Sequence, residues 1–194
     1  KVLGLADYFT INISSPNTPG LRALQGKDAL DELLSKLKSV RDGIGAKEKP
    51  PLLLKIAPDL DERECEDIAE VIVNHEMEGL IVSNTTLSRE GLTSPFKDEG
   101  GGLSGAPLFE LSTRILSNMY TLTKGKIPLV GVGGVSNGEQ AYAKIKAGAS
   151  LVQLYSALVY HGPALAAKIA AELEILIKKD GLSNITEAIG LDHK

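Results

Sequence analysis

The segment Asn12-Ile13-Ser14-Ser15-Pro16-Asn17-Thr18 stands at the end of the apolar run Tyr8-Phe9-Thr10-Ile11. The run is rich in aromatic and β-branched residues, and it predicts a strand over residues 8–13. Amides, hydroxyls and a proline follow at once, and this composition is not that of a packed core. In parallel α/β folds, ligands bind at the carboxyl edge of the sheet. The segment therefore indicates a parallel sheet with a binding site at that edge.

Strand and helix patterns alternate through the rest of the chain. Apolar runs predict further strands at residues 51–57, 80–82, 127–132 and 151–154. Periodic apolar positions and terminal signals predict helices at residues 28–40, 61–75, 107–125, 137–148 and 163–181. Five apolar strands, each followed by an amphipathic helix, predict one α/β domain built on a parallel sheet.

Two architectures share this pattern, an open doubly wound sheet and a (β/α)8 barrel. A barrel needs eight units and typically about 250 residues. The chain has 194 residues and five predicted units, so the pattern does not select the barrel. The open sheet is the natural interpretation of a complete chain, although the start Lys1-Val2-Leu3-Gly4 is typical of the middle of a protein.

Composition narrows the classes of function. The net charge is −4 and aromatic residues make up 4%, which argues against a nucleic-acid partner. No apolar run approaches the roughly 20 residues of a membrane helix. The single Cys65 and the three separated histidines exclude a disulfide framework and a cysteine metal cluster within the chain, and no metal site is predicted.

Five segments resemble one family, in that family's order. They are Asn12-Ile13-Ser14-Ser15-Pro16-Asn17-Thr18-Pro19-Gly20 with Leu21-Arg22, Lys55-Ile56-Ala57-Pro58-Asp59-Leu60, Ser83-Asn84-Thr85-Thr86, Gly101-Gly102-Leu103-Ser104-Gly105 and Gly131-Val132-Gly133-Gly134. Together they resemble the class 2 dihydroorotate dehydrogenases. The resemblance covers residues 1–194 and implies a (β/α)8 TIM barrel. This chain would then supply about the last five β/α units of a single FMN-binding barrel domain, without the N-terminal units.

The glycines after the fourth predicted strand could form a binding site for an anion. Gly133 and Gly134 lead toward a helix at Asn137, so backbone amides can approach a phosphate and the helix N-terminus adds a favourable dipole. The alternative is a tight turn that binds nothing. The resemblance implies that the anion is the phosphate of flavin mononucleotide (FMN), and it adds Gly105, Tyr155 and Ser156 to the cofactor contacts.

Lys55 lies inside the predicted strand at residues 51–57. A lysine in a buried strand is costly unless its charge has a partner or its stem reaches solvent. If the ammonium faces the mouth of the site, it can stabilise the negative charge of a reduced flavin. The resemblance implies contact with the flavin ring, and it places Asn12 and Ser83 beside the same cofactor.

Several amides follow the predicted strands. An amide both donates and accepts hydrogen bonds, which suits a planar ring with alternating carbonyl and N–H groups. The alternative is that these residues only cap the strand ends. The resemblance implies that Asn12, Asn17 and Asn84 hold the pyrimidine ring of dihydroorotate, with Thr85 beside them.

Ser15 is the predicted catalytic residue, and the prediction depends on the resemblance. Serine is a weak base, and no histidine or acid lies near it in sequence, so residue chemistry favours a loop cap. Class 2 members use a serine as the base at this position, and the residue matching Thr18 assists through water. The absence of a nearby cysteine argues against a class 1 enzyme or a dihydrouridine synthase.

The activity implied by the resemblance is oxidation of (S)-dihydroorotate to orotate with a quinone such as ubiquinone as acceptor, the fourth step of pyrimidine synthesis. Quinone binding and membrane association would belong to the missing N-terminal part. The predicted location is the mitochondrial inner membrane in a eukaryote, or the cytoplasmic membrane in a bacterium. The alternative is an inactive truncated fragment that keeps a flavin half-site. The long connection at residues 85–106 predicts either a lid over the site or a surface insertion.

Overall fold

Five parallel strands form one sheet in the computed structural model, which describes residues 6–43 and 49–194. The strands are β1 (Phe9–Asn12), β2 (Leu52–Ile56), β3 (Gly79–Val82), β4 (Leu129–Val132) and β5 (Ala149–Gln153). They lie side by side in chain order, and every pairing is parallel. A doubly wound sheet reverses its strand order at a switch point, whereas a barrel wall does not. The strand order is therefore that of a barrel wall, and the barrel is not closed within this chain.

Within residues 6–43 and 49–194, six α-helices connect and follow the strands. Their bounds are α1 (Lys27–Asp42), α2 (Glu62–Asn74), α3 (Phe109–Thr123), α4 (Gly138–Lys146), α5 (Ser156–His161) and α6 (Leu165–Lys179). The main core lies between the sheet and the inward faces of α1, α2 and α3. A second cluster joins α4 to α6 through Ala141 and Ile169.

The side chains of β2 alternate between the two faces of the sheet. Leu52, Leu54 and Ile56 are buried, whereas Leu53 and Lys55 are only partly buried. Successive strand residues point to opposite faces, so Lys55 lies on the face away from the helices. In a barrel that face is the interior, and it leads to the mouth where ligands bind.

The α/β order was predicted correctly, and the differences lie at the bounds of elements and in short helical segments. The strand predicted at residues 151–154 begins earlier, at Ala149. The short helix α5 and the 3-10 segments Leu21–Gln25, Ile185–Ala188 and Leu191–His193 were not predicted. Segments of three to six residues are too short to show a helical period, and the tertiary contacts of the C-terminal segments hold them in place.

The start of α2 is set by its own side chains. The Asp61 carboxylate accepts from the Glu64 amide at 2.8 Å, and the Glu64 carboxylate accepts from the Asp61 amide at 2.8 Å. This reciprocal pair is a capping box. Cys65 follows it in a buried position, and burial raises the pKa of its thiol to about 11. The one cysteine is therefore a packing residue and not a nucleophile.

Over residues 6–43 and 49–194, no helix combines the length and apolarity that crossing a bilayer requires. The same residues contain no cluster of three or more His, Cys, Asp or Glu side chains that could hold a metal ion.

Candidate cofactor and substrate site

The carboxyl ends of β2, β3, β4 and β5 enclose a pocket of about 490 Å³. Nine of the predicted site residues line it: Lys55, Ser83, Asn84, Thr85, Gly105, Gly133, Gly134, Tyr155 and Ser156. Parallel strands bring their carboxyl ends to one edge, so residues far apart in the chain meet there. The other four predicted residues, Asn12, Ser15, Asn17 and Thr18, belong to the end of β1 and the loop after it.

A glycine turn forms the wall of the pocket after β4. Gly133 has φ +115° and Gly134 has φ +73°, a region that glycine enters without strain. A Cβ on Gly134 would lie 2.5 Å from the Phe109 Cβ and 2.7 Å from the Phe109 Cα. The turn therefore lies directly against the start of α3, and its bare backbone faces the pocket. A wall of backbone without side chains fits an anionic group such as a phosphate.

The N-terminus of α4 is already occupied by protein groups. The Gly138 amide donates to Glu172 Oε2 at 2.6 Å, and the Gln140 amide donates to Asn137 Oδ1 at 2.8 Å. A carboxylate thus stands where a bound anion would need to lie. These two amides therefore already have acceptors within the protein, and the backbone groups open to the pocket are those of the glycine turn and the wall opposite it.

The opposite wall of the pocket comes from the loop before α3 and from α5. Ser156 Oγ donates to Ser104 Oγ at 2.9 Å, and Gly105 has φ +82°. Tyr160 and His161 of α5 also line the pocket. Sequence analysis missed Ser104, Tyr160 and His161 as lining residues. The only available signal was their proximity in sequence to predicted site residues.

Lys55 reaches the pocket from β2. Its side chain is half-buried, and desolvation lowers the pKa of the ammonium group. Within the described part of the chain, no carboxylate contributes to its pKa. A partly desolvated cation without an acidic neighbour stabilises negative charge that develops beside it. Its position in the pocket contradicts the alternative that the side chain leaves the site for bulk solvent.

A cluster of polar side chains joins the ends of β1 and β3. Asn84 Nδ2 donates to Asn12 Oδ1 at 3.3 Å and to Ser14 Oγ at 3.1 Å. Ser14 Oγ donates to the same Asn12 oxygen at 3.0 Å, and Ser14 is fully buried. Asn12 also pairs in register with Lys55. The structure therefore brings Asn12, Asn84 and Lys55 together, and it shows Ser14 as the link that sequence analysis did not assign.

Ser15 and Thr18 lie beside the pocket and are not part of its wall. Ser15 Oγ accepts from the Asn17 amide at 3.3 Å. The Thr18 carbonyl accepts from the Leu21 amide at 3.2 Å, where a 3-10 segment (Leu21–Gln25) begins. No histidine or carboxylate among the described residues hydrogen-bonds to Ser15. Catalytic hydrogen bonds are often long without substrate and shorten in the complex.

Arg22 forms hydrogen bonds to the loops that follow β1, β2 and β3. Its Nε donates to the Ser14 carbonyl at 3.1 Å, its Nη2 donates to the Thr85 carbonyl at 3.1 Å, and its Nη1 donates to Asp59 Oδ2 at 3.0 Å. Asp59 also accepts from the Thr86 hydroxyl. Arginine has five donors in a rigid fork and suits such a junction. Its presence in the quoted motif was the only sequence signal for this role.

Backbone and side-chain hydrogen bonds hold together the two ends of the long connection after β3. An antiparallel bridge joins Thr86 to Leu103, and the Arg89 guanidinium donates to the Glu99 carbonyl at 3.0 Å and the Gly101 carbonyl at 2.6 Å. A Cβ on Gly101 would lie 3.4 Å from Asn17 Oδ1. The returning arm of the loop therefore packs beside the segment after β1, which favours a cover over the site rather than a remote surface insertion.

Comparison with known proteins agrees with this geometry. Residues 1–177 match the family model described as "Dihydroorotate dehydrogenase". The chain is 57% identical over 190 residues to "Dihydroorotate dehydrogenase (quinone)" of Parvibaculum lavamentivorans, with 97% of this chain and 53% of that protein covered. It is 53% identical over 196 residues to "Dihydroorotate dehydrogenase (quinone), mitochondrial" of Mus musculus, with 100% of this chain and 50% of that protein covered.

A solved structure shows the same fold. The crystal structure of DHODH in complex with ferulenol from Eimeria tenella superposes with a TM-score of 0.94 at 40% identity, covering 97% of this chain and 55% of that chain. The present chain spans about half the length of the curated relatives it matches.

Proposed function

This chain belongs to the dihydroorotate dehydrogenase family, and from that membership we propose that it forms the flavin- and substrate-binding part of a quinone-dependent dihydroorotate dehydrogenase. The proposed reaction oxidises (S)-dihydroorotate to orotate in pyrimidine biosynthesis. The observation that carries the proposal is that a glycine turn, the Lys55 ammonium and Asn84 of the amide cluster line one pocket. The complete enzyme is taken to be this chain together with the units that would close the barrel.

The proposed cofactor is FMN. Gly133, Gly134, Gly105 and Ser156 would hold its phosphate, because the glycine turn offers backbone where a Cβ would collide with α3. Lys55, Ser83, Tyr155 and Asn12 would complete its binding site. The bound cofactor would supply an acceptor for the hydride that leaves the substrate and a donor of electrons to a quinone. Lys55 contributes a positive charge that favours this electron transfer.

The proposed substrate site is the amide cluster and the loop beside it. Asn12 and Asn17 are exposed, so each has polar atoms available to a ligand, and the Asn84–Ser14–Asn12 hydrogen bonds fix the orientation of the cluster. Amide groups match the alternating carbonyl and N–H groups of dihydroorotate. Thr85 lies next to Asn84 and accompanies it in the pocket wall.

Ser15 is the proposed base. It would remove the proton at C5 of dihydroorotate while the hydride leaves C6, so that the C5–C6 bond becomes a double bond. Thr18 would pass the proton onward through water. The Arg22 contacts with the Ser14 and Thr85 carbonyls hold the serine loop against the substrate residues, which supports this assignment because general bases require a fixed position.

The proposed electron acceptor is ubiquinone or a related quinone. Its site and the membrane association would lie in units N-terminal to this chain. Support comes from relatives whose names include "(quinone)", and the relatives from Mus musculus and Oryza sativa are also named mitochondrial. The proposed location is the mitochondrial inner membrane in a eukaryotic source, or the cytoplasmic membrane in a bacterial one.

A spectroscopic experiment tests the proposal. We expect anaerobic addition of dihydroorotate to the purified complete enzyme to bleach its flavin absorbance, and later addition of a quinone to restore it. Enzyme mixed with orotate in place of dihydroorotate is the control, and its flavin should stay oxidised. Flavin that stays oxidised with dihydroorotate would contradict the proposed activity.

The isolated 194-residue chain is a second candidate, as a fragment without turnover. The region from β5 to α5 exposes large apolar residues, with Leu151 65%, Tyr155 82% and Tyr160 83% exposed. These residues border the pocket and the open edge of the sheet. We expect the isolated chain to purify without flavin and to show no dihydroorotate oxidation. An absorbance spectrum checks this, and a tightly bound yellow cofactor would contradict it.

A further inference from the structure

Lys144 on α4 is fully buried, although it is not part of the pocket wall. Its Nζ donates to Ser112 Oγ at 2.6 Å, and it lies 5.2 Å from the centre of the Phe109 ring. Burial lowers the pKa of Lys144 to about 7, and the Glu110 charge acts in the opposite direction. A buried lysine is among the most costly residues to place in a core, and nothing in the proposed chemistry uses it.

Ser112 connects Lys144 to the glycine turn through hydrogen bonds. Its Oγ lies 3.1 Å from the Phe109 carbonyl and 3.3 Å from the Gly133 carbonyl. The Lys144 ammonium can only donate to Ser112, so the serine hydrogen is left to donate to one of these carbonyls. A chain of hydrogen bonds thus connects α4, through α3, to the backbone of the turn.

Lys144 and Ser112 also pack closely against the end of β4 and the glycine turn. A Cβ on Gly133 would lie 2.7 Å from Ser112 Oγ, and a Cβ on Gly131 would lie 3.1 Å from the Lys144 Cβ. The end of β4 and the glycine turn therefore rest directly on the Lys144–Ser112 pair. A shift of that pair would be transmitted to the turn, because packed interiors have few voids to absorb it.

We propose that Lys144 is a positioning residue for the phosphate-binding turn, acting through Ser112 on the Gly133 carbonyl. This inference rests on the proposed function, since the phosphate is that of FMN. A Gly133 carbonyl held toward buried Ser112 cannot direct its oxygen at the phosphate. The turn then presents its other backbone groups to the anion. When protonated, Lys144 also adds positive potential behind the turn, which favours a phosphate dianion.

The alternative is that Lys144 only fills space between α3 and α4. Lys144→Met distinguishes the two, because methionine has a similar shape and no charge or donor. Burying an ammonium group costs desolvation free energy, so we expect an apolar side chain of similar volume at this position to preserve or raise the stability. Space filling predicts unchanged flavin binding, whereas positioning predicts weaker phosphate binding in a protein at least as stable as the original.

Apoenzyme prepared from the complete enzyme is titrated with FMN and, separately, with riboflavin, which lacks the phosphate. Flavin fluorescence gives both dissociation constants. For Lys144→Met we expect the Kd for FMN to rise roughly 10- to 100-fold, since an ionic hydrogen-bond network is lost. The Kd for riboflavin should stay within about twofold, and the Tm should not fall. Lys179→Met is the matched control, because Lys179 is exposed on α6.

Ser112→Ala is the second variant, and it removes the hydroxyl group that connects Lys144 to the Gly133 carbonyl. It should reproduce the FMN-selective loss, and it decides the question if Lys144→Met does not fold. Equal losses for both flavins, or no loss for either, would overturn the positioning role. An unsubstituted enzyme that binds riboflavin as tightly as FMN would instead overturn the cofactor assignment on which the inference rests.

Discussion

Replacing Ser15 with alanine in the complete enzyme is expected to lower kcat by about 10²- to 10⁴-fold near neutral pH, the usual contribution of a positioned general base. The bound flavin should remain, because Ser15 lies outside the pocket wall that would hold the cofactor. Alanine removes the hydroxyl and leaves the backbone of the loop free to keep its contacts. The loss therefore belongs to the proton-transfer step and not to cofactor binding.

Stopped-flow measurement of flavin reduction by dihydroorotate separates the effect on chemistry from the effect on binding. The rate of reduction should fall with kcat, and the absorbance ratio of flavin to protein should not change. Ser35→Ala is the matched control, since Ser35 is exposed on α1 and far from the strand ends. A Ser15→Ala enzyme with more than half of normal turnover would remove Ser15 from the proposed role.

Gly134→Ala is expected to abolish tight FMN binding, with the Kd raised at least about 100-fold. The new Cβ would lie 2.5 Å from the Phe109 Cβ and 2.8 Å from the Phe109 backbone nitrogen. Backbone atoms cannot rotate away, so either the turn or the start of α3 must move. Left-handed strain of about 1–2 kcal/mol and overpacking of about 1–3 kcal/mol predict that the free energy of unfolding falls by roughly 2–5 kcal/mol.

Gly181→Ala separates the steric effect from the backbone effect. Gly181 also has φ +73°, it lies beyond the end of α6, and a Cβ there would meet nothing within 4 Å. The free energy of unfolding of this variant should fall only by the cost of left-handed strain, about 1–2 kcal/mol. The variant should bind FMN normally. Urea unfolding and flavin titration check both variants. If Gly134→Ala behaved like Gly181→Ala, the close contact with Phe109 would have no role in shaping the cofactor site.

Two lysines near the pocket differ in burial and in their access to a bound ligand. Lys55 is half-buried in the pocket wall, where a substrate or cofactor can meet its ammonium group. Lys144 is fully buried behind the glycine turn and contacts the pocket only through Ser112 and the backbone. In the proposed function, the first would stabilise charge directly at the flavin ring, and the second would preorganise the turn at the phosphate end.

Local patterns were sufficient for the order of strands and helices, and together with the resemblance they identified nine of the residues that line the pocket. Apolar runs that end in polar residues identify the strands and place Lys55, Asn84 and Gly134 at their carboxyl ends, because a parallel sheet brings those ends to one edge. The choice of a barrel over an open sheet was not available from the pattern. It came from the resemblance and agrees with strands that lie in chain order without a reversal.

Contacts between distant residues could not be inferred from the chain alone. Glu172 occupies the N-terminus of α4, Arg22 joins Ser14 to Thr85, and Lys144 reaches Ser112. Each contact depends on how helices and loops pack against one another, and periodicity reports only which face of an element is buried. Tertiary packing therefore determined which groups cap the N-terminus of α4 and where the buried Lys144 amine lies, whereas the linear pattern of polar and apolar residues was enough to locate the edge where the site forms.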